Sequence, residues 1–171
     1  KAVFPGFQGG PHENNIAAKA VAFKEALDPN FKEYAKQIKK NAKALERVFL
    51  ASKAKIMFGG TDNHLLLVNV TPLGVSGKQA QELLDSVGIT LNKNMIPDDP
   101  RKPMDPSGIR FGTPALTTRG FKENDMGVIA KTMLEVMEKP QSNDVNSRAR
   151  NIVKELTEKY PLYPGLTYAT H

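Results

Sequence analysis

The chain has 171 residues, 40% of them hydrophobic, and 24 basic against 18 acidic side chains give a formal charge of +6, which suits one full core or one domain with a piece of another. No run reaches the roughly 18 apolar residues of a membrane span, no basic-then-apolar amino-terminal segment reads as a secretion signal, and the lack of cysteine excludes disulfides, thiol catalysis and cysteine-ligated metal. The lysines are spread along helices, so the positive balance reads as a solvated surface open to a small anionic ligand rather than as a nucleic-acid site, and the cytoplasm is the default location.

Lys1 stands first, and residues 2–11 run through aromatics, two prolines and three glycines in loop-like order. The sequence is therefore expected to start inside something larger. Residues 14–27 are alanine-rich, with Ile16, Ala20, Phe23 and Leu27 on one helical face, and Asp28-Pro29 interrupts them. A second helix is predicted over 30–52, where Phe31, Tyr34, Ile38, Ala42, Leu45, Val48 and Phe49 form a core-facing stripe. The lysine-rich run 36–43 is its wet face. Two short strands follow, 55–58 and 64–70, joined through a turn on Gly59 and Gly60 as a hairpin or close antiparallel pair.

Ser76-Gly77-Lys78-Gln79 reads as a capping box opening a helix that ends near Gly88. A third strand is expected over 89–92. Residues 93–107, with four prolines, form a long loop of the kind that often carries function. A strand over 108–111 precedes Gly112-Thr113-Pro114-Ala115 and then a helix over 122–138, with Met126, Ile129, Ala130, Met133, Leu134 and Met137 inward. Pro140 ends it, residues 143–159 supply a last helix, and 160–171 read as a surface extension. The order of elements points to an α/β sandwich, a mostly antiparallel sheet with helices on one side, preceded by part of another domain.

Several motifs carry chemistry. Gln8-Gly9-Gly10-Pro11 precedes a helix, where exposed N–H groups and the positive helix end suit a phosphate, or where glycines simply turn the chain. Arg110 lies in a strand between Gly108 and Gly112, either as a guanidinium fork for a carboxylate or, the reading the residues alone favour, as an edge-strand arginine paired to an acid. Asn92-Lys93-Asn94 offers amide groups that suit a heterocycle. His64 reads as a satisfied core histidine, and with His12 and His171 far away in sequence no metal-ligand spacing exists. Ser76-Gly77-Lys78 lacks the upstream glycine of a phosphate loop, and Asn69-Val70-Thr71 lies in a strand too buried for glycosylation.

Taken together, residues 2–11 (Ala-Val-Phe-Pro-Gly-Phe-Gln-Gly-Gly-Pro), Gly59-Gly60-Thr61-Asp62-Asn63-His64, Asn92-Lys93-Asn94, the stretch 107–114 and Thr118-Arg119-Gly120-Phe121 resemble serine hydroxymethyltransferase in order and spacing, from residue 1 to about Tyr160. The resemblance implies the carboxy-terminal portion of a fold-type I pyridoxal phosphate enzyme that interconverts serine and glycine with tetrahydrofolate as one-carbon carrier. It implies that residues 1–40 end the large cofactor-binding domain and 41–171 form the small domain, in a homodimer or tetramer. It places Arg110 on the amino-acid carboxylate and Gly9 and Gly10 at the cofactor phosphate of the neighbouring subunit. Phe4 would line the folate site across that interface, and Asn94 would contact the pterin. The family's Schiff-base lysine is expected upstream of Lys1, so this chain alone should be inactive, and Asn14 stands where the family usually has histidine. The alternative is a non-catalytic α/β binding or interaction module.

Overall fold

The computed structural model describes residues 1–163. The chain divides into two compact units, Lys1–Ala35 and Lys36–His171. In the first, Ala2–Phe7 makes one wide turn, closed where the Gln8 N–H donates to the Val3 carbonyl at 2.7 Å. Helix α1, Glu13–Leu27, follows and stops at Asp28. The Asp28 carboxylate accepts the Asn30 N–H at 2.8 Å and starts α2, Pro29–Leu50, with proline in the first turn where its missing N–H costs nothing. The apolar residues of α1 are exposed: Ile16 56%, Phe23 68%, Leu27 84%.

The second unit holds a four-stranded sheet, β1 Lys55–Ile56, β2 Leu65–Asn69, β3 Asn92–Asn94 and β4 Gly108–Gly112, in the order β1-β2-β4-β3 with every pairing antiparallel. Helices α3, Gly77–Asp85, α5, Glu123–Glu138, and α6, Asn143–Lys159, accompany it, and a short α4, Pro114–Thr118, follows β4. The α/β architecture with a small antiparallel sheet is thus as expected. Alternation along the strands buries one sheet face: Leu66, Val68 and Ile109 are almost fully buried, and Phe111 packs its ring 5.3 Å from Phe49 of α2. Into the same core go Ala42 and Leu45 of α2, Ala80 and Leu84 of α3, Met126, Ala130, Met133 and Met137 of α5, and Val145 and Ala149 of α6. Of the stripe predicted on α2, Phe31 is exposed and Tyr34 and Ile38 are half-buried, so the core-facing part begins at Ala42.

Four expectations need correction. The third strand lies at Asn92–Asn94 rather than 89–92. Gly88 takes a left-handed φ of +85° and Ile89 returns its N–H to the Leu84 carbonyl, so 89–91 closes the end of α3 and pairing with β4 starts only at Asn92. The first strand stops at Ile56 because Met57–Gly59 curls into a tight turn, with Phe58 at φ +58°. His64 is exposed, not a core group, since β2 begins one residue later. Tyr160, assigned to a surface extension, stacks 4.5 Å from Phe121 and donates its hydroxyl to Asp125 at 2.9 Å. Pro161, Leu162 and Tyr163 are exposed, as a surface extension would be, and residues 164–171, with His171, lie outside the described residues. Among those described, no helix is long and apolar enough to cross a membrane, and no cluster of His, Cys, Asp or Glu could hold a metal ion.

Candidate functional site

Because β4 is an interior strand, the alternative of an edge-strand arginine does not hold for Arg110. Register places Leu67, Arg110 and Asn92 in one row across the sheet, with Asn69, Gly108 and Asn94 in the next. Directly paired residues share a face, so this is the face opposite the Leu66, Val68 and Ile109 core. Asn94 is therefore a diagonal neighbour of Arg110, about 7–8 Å away by strand geometry. Arg110 is exposed, and no acidic partner engages it among the described residues. The structure thus brings two of the sequence-predicted site residues together on one open face.

Glycine makes that arrangement possible. A Cβ at Gly108 would lie 2.7 Å from Ile96 Cγ2 and 2.8 Å from the Asn94 carbonyl oxygen, so the strands close up only with glycine there. Asn94 donates from Nδ2 to the Met95 carbonyl at 2.6 Å, which fixes the plane of its amide and leaves Oδ1 and the second N–H for a ligand. The loop that follows is tied together by hydrogen bonds to one carboxylate. Asp99 collects it, accepting the Ile96 N–H at 3.2 Å, the Arg101 N–H at 2.9 Å, the Ser107 N–H at 2.9 Å and the Ser107 hydroxyl at 2.6 Å. Partial burial pushes its carboxyl up, but the Ser107 hydroxyl and these N–H donors outweigh that and hold it at about 2. Arg101 also pairs with Asp105 across the loop.

Arg110 borders a cleft of about 600 Å³ whose other wall is the turn from Met57 to Asn63. Glu46 and Lys43 of α2 stand in the same cleft. The buried Glu46 carboxylate accepts the Thr61 N–H at 2.7 Å and pairs with Lys43 Nζ at 3.0 Å. Sequence reasoning read Gly59-Gly60 as turn geometry and passed over Glu46. The signal was present: Glu46 lies four residues after Ala42 and three before Phe49, inside the apolar stripe, where a carboxylate has to find partners.

The other predicted residues belong to the first unit. Gly9 and Gly10 are exposed before α1, and a Cβ on either would meet nothing within 4 Å, so their backbone is open to approach. His12, in the N-cap position, makes no side-chain cap to the first-turn N–H groups. Phe4 is 67% exposed on the turn before them. The Thr118–Phe121 motif serves the fold instead. Arg119 donates to the Tyr160 and Thr157 carbonyls, Phe121 is buried, and Gly120 takes φ +101°.

Comparison with known proteins gives this arrangement a family. The serine hydroxymethyltransferase family model matches residues 1–133. The serine hydroxymethyltransferase of Myxococcus xanthus (strain DK1622) is 52% identical over 161 residues, covering 94% of this chain and 38% of the relative. That of Lactobacillus johnsonii (strain CNCM I-12250 / La1 / NCC 533) is 52% identical over 162 residues, 94% of this chain and 39% of the relative. The chain thus spans less than two fifths of the length of these relatives.

Proposed function

The chain belongs to the serine hydroxymethyltransferase family, and on that footing we propose that it is the carboxy-terminal portion of a cytoplasmic enzyme that interconverts serine and glycine, with tetrahydrofolate carrying the one-carbon unit. The observation that carries the reading is Arg110: a guanidinium on an interior strand, exposed, with no acid to neutralise it among the described residues. Its planar fork binds the amino-acid carboxylate through two parallel hydrogen bonds and so fixes the orientation of the Cα substituents. Leu67 beside it in the same row gives the carboxylate a partly apolar wall, which strengthens the pair by lowering the local dielectric.

The cofactor would be pyridoxal phosphate, which supplies an electron sink when bound. Gly9 and Gly10 suit its phosphate because their backbone stands clear before a helix start, with no side chain in the way. In this reading they serve the neighbouring subunit of a homodimer or tetramer, and Phe4 offers its ring to the folate across that interface. Asn94 holds the pterin through the amide oxygen and the N–H left over from its bond to Met95. Residues 1–40 belong to the large cofactor-binding domain and 41–171 to the small domain. The chain alone is inactive.

Asn94→Ala in the full-length protein that carries this segment tests the folate half of the reading. Loss of two hydrogen bonds to a bound heterocycle should raise the tetrahydrofolate KM about tenfold or more, with serine affinity unchanged. An unchanged folate KM would contradict the role of Asn94.

A further inference from the structure

We propose that Glu46 is a positioning residue for the Arg110 cleft, an inference that rests on the reading of Arg110 as the amino-acid carboxylate site. The cleft wall facing Arg110 is the turn from Met57 to Asn63, and its backbone does not take that shape unaided. Phe58, a bulky residue 85% exposed, is held at φ +58° and Gly59 follows at φ +75°, two left-handed residues in succession where a phenylalanine is a steric outlier that its surroundings must impose. Glu46 supplies the constraint. Its Oε2 accepts the Thr61 N–H at 2.7 Å, and Gly60 passes so close that a Cβ there would lie 3.0 Å from the same oxygen. The restraint is then handed on: Thr61 Oγ1 accepts the Asn63 N–H at 3.2 Å, Asn63 Oδ1 accepts the Leu65 N–H at 2.7 Å, and β2 carries Leu67 to its place opposite Arg110.

Charge fits the same role. A bare carboxylate in this cleft would repel the substrate's own, but Lys43 Nζ bridges both Glu46 oxygens at 3.1 and 3.0 Å and cancels that field. Glu46 can therefore clamp the turn without competing for Arg110. Releasing the clamp lets residues 58–61 relax toward ordinary backbone angles and moves the wall against which a bound amino acid is aligned. A displacement of about 1 Å at a positioning wall is enough to cost a large factor in binding and alignment.

The test uses the full-length holoenzyme that carries this segment, with amide hydrogen exchange of the 171-residue chain beside it. Glu46→Ala should raise the serine KM about tenfold and lower kcat as alignment is lost, leave cofactor content near wild type, and accelerate exchange at the Thr61 amide. Glu46→Gln, whose amide oxygen still accepts from Thr61, should restore most of the affinity and the slow exchange. Should the alanine variant not fold, Glu46→Asp, with a carboxylate withdrawn from Thr61, carries the same expectation. Faster Thr61 exchange with an unchanged serine KM would overturn the proposal, since it would show an anchor that the substrate does not feel. Arg110→Lys separates the two readings: if it raises the serine KM and the Glu46 variants do not, this inference alone falls, whereas an unchanged KM in Arg110→Lys removes the carboxylate site itself.

Discussion

Single residues decide whether the open sheet face keeps its shape, and Asp99 is the clearest case. With four hydrogen bonds donated to it from Ile96, Arg101 and Ser107, one carboxylate closes the loop between Asn94 and Gly108. Its folded pKa of about 2 lies below the ordinary value of 3.8, so it stabilises the fold fully above about pH 4 and loses that contribution as pH falls from there toward 2. In Asp99→Asn the amide nitrogen no longer accepts from Ile96 or Ser107. The melting temperature of the wild-type chain should therefore exceed that of the variant at pH 7, and the gap should narrow between pH 4 and 2. A gap independent of pH would mean that ionised Asp99 does not hold the loop. The site was only partly legible at this scale. Arg110 and Asn94 stand in short motifs that the sequence displays, whereas Glu46 sits in a helix whose lysine-rich exposed side hides one carboxylate turned inward.

Among the elements, α3 shows how local chemistry and tertiary contact combine. The capping box forms as its sequence predicts, with Ser76 Oγ accepting the Gln79 N–H at 3.2 Å and Gln79 Oε1 accepting the Ser76 N–H at 2.9 Å. Ser76→Ala should cost about 1 kcal/mol, as a lost N-cap usually does. Gly77→Ala should cost more, because its Cβ would lie 2.1 Å from the Gly108 carbonyl oxygen, backbone that cannot step aside without moving β4. Urea unfolding of the two variants measures both, and a Gly77→Ala loss no larger than that of Ser76→Ala would contradict the packing of α3 on β4. Helix α6 was readable to its ends, since Ser142 caps its start, accepting the Val145 N–H, and the apolar period runs unbroken to Leu156. Strand β3 was not. Asn92-Lys93-Asn94 has little strand propensity, and it pairs because β4 offers a ladder on one side while Gln81 of α3 accepts the Lys93 N–H at 2.8 Å on the other. Nothing local marks Pro114–Thr118 as a helix beyond proline in its first turn, and the Thr113 hydroxyl bonded to the Ile38 carbonyl at 2.9 Å fixes its start from a distance.

For the whole molecule the question is how much of an enzyme this chain embodies. None of its lysines is buried: all are exposed except Lys43 and Lys93, which are half-buried, Lys43 against Glu46 and Lys93 donating to the Met104 carbonyl at 3.0 Å. A Schiff-base lysine needs a desolvated, preorganised pocket. Pyridoxal phosphate added to the chain alone should therefore give no saturable visible absorbance band, and a stoichiometric borohydride-trapped adduct on one lysine would contradict this. What the chain does embody, on the proposed function, is the open sheet face on which Arg110 recognises the substrate. The serine affinity of Arg110→Lys, in the full-length protein that carries this segment, tests that most directly. Lysine keeps the charge and loses the fork, and a bidentate charge-assisted pair is worth about 1.5–3 kcal/mol, or about 10 to 150-fold in binding. Serine and glycine binding should weaken by about that factor, with cofactor content and melting temperature close to wild type. Unaltered serine affinity, or a loss of several degrees in melting temperature with binding intact in the folded protein, would contradict a substrate role for Arg110.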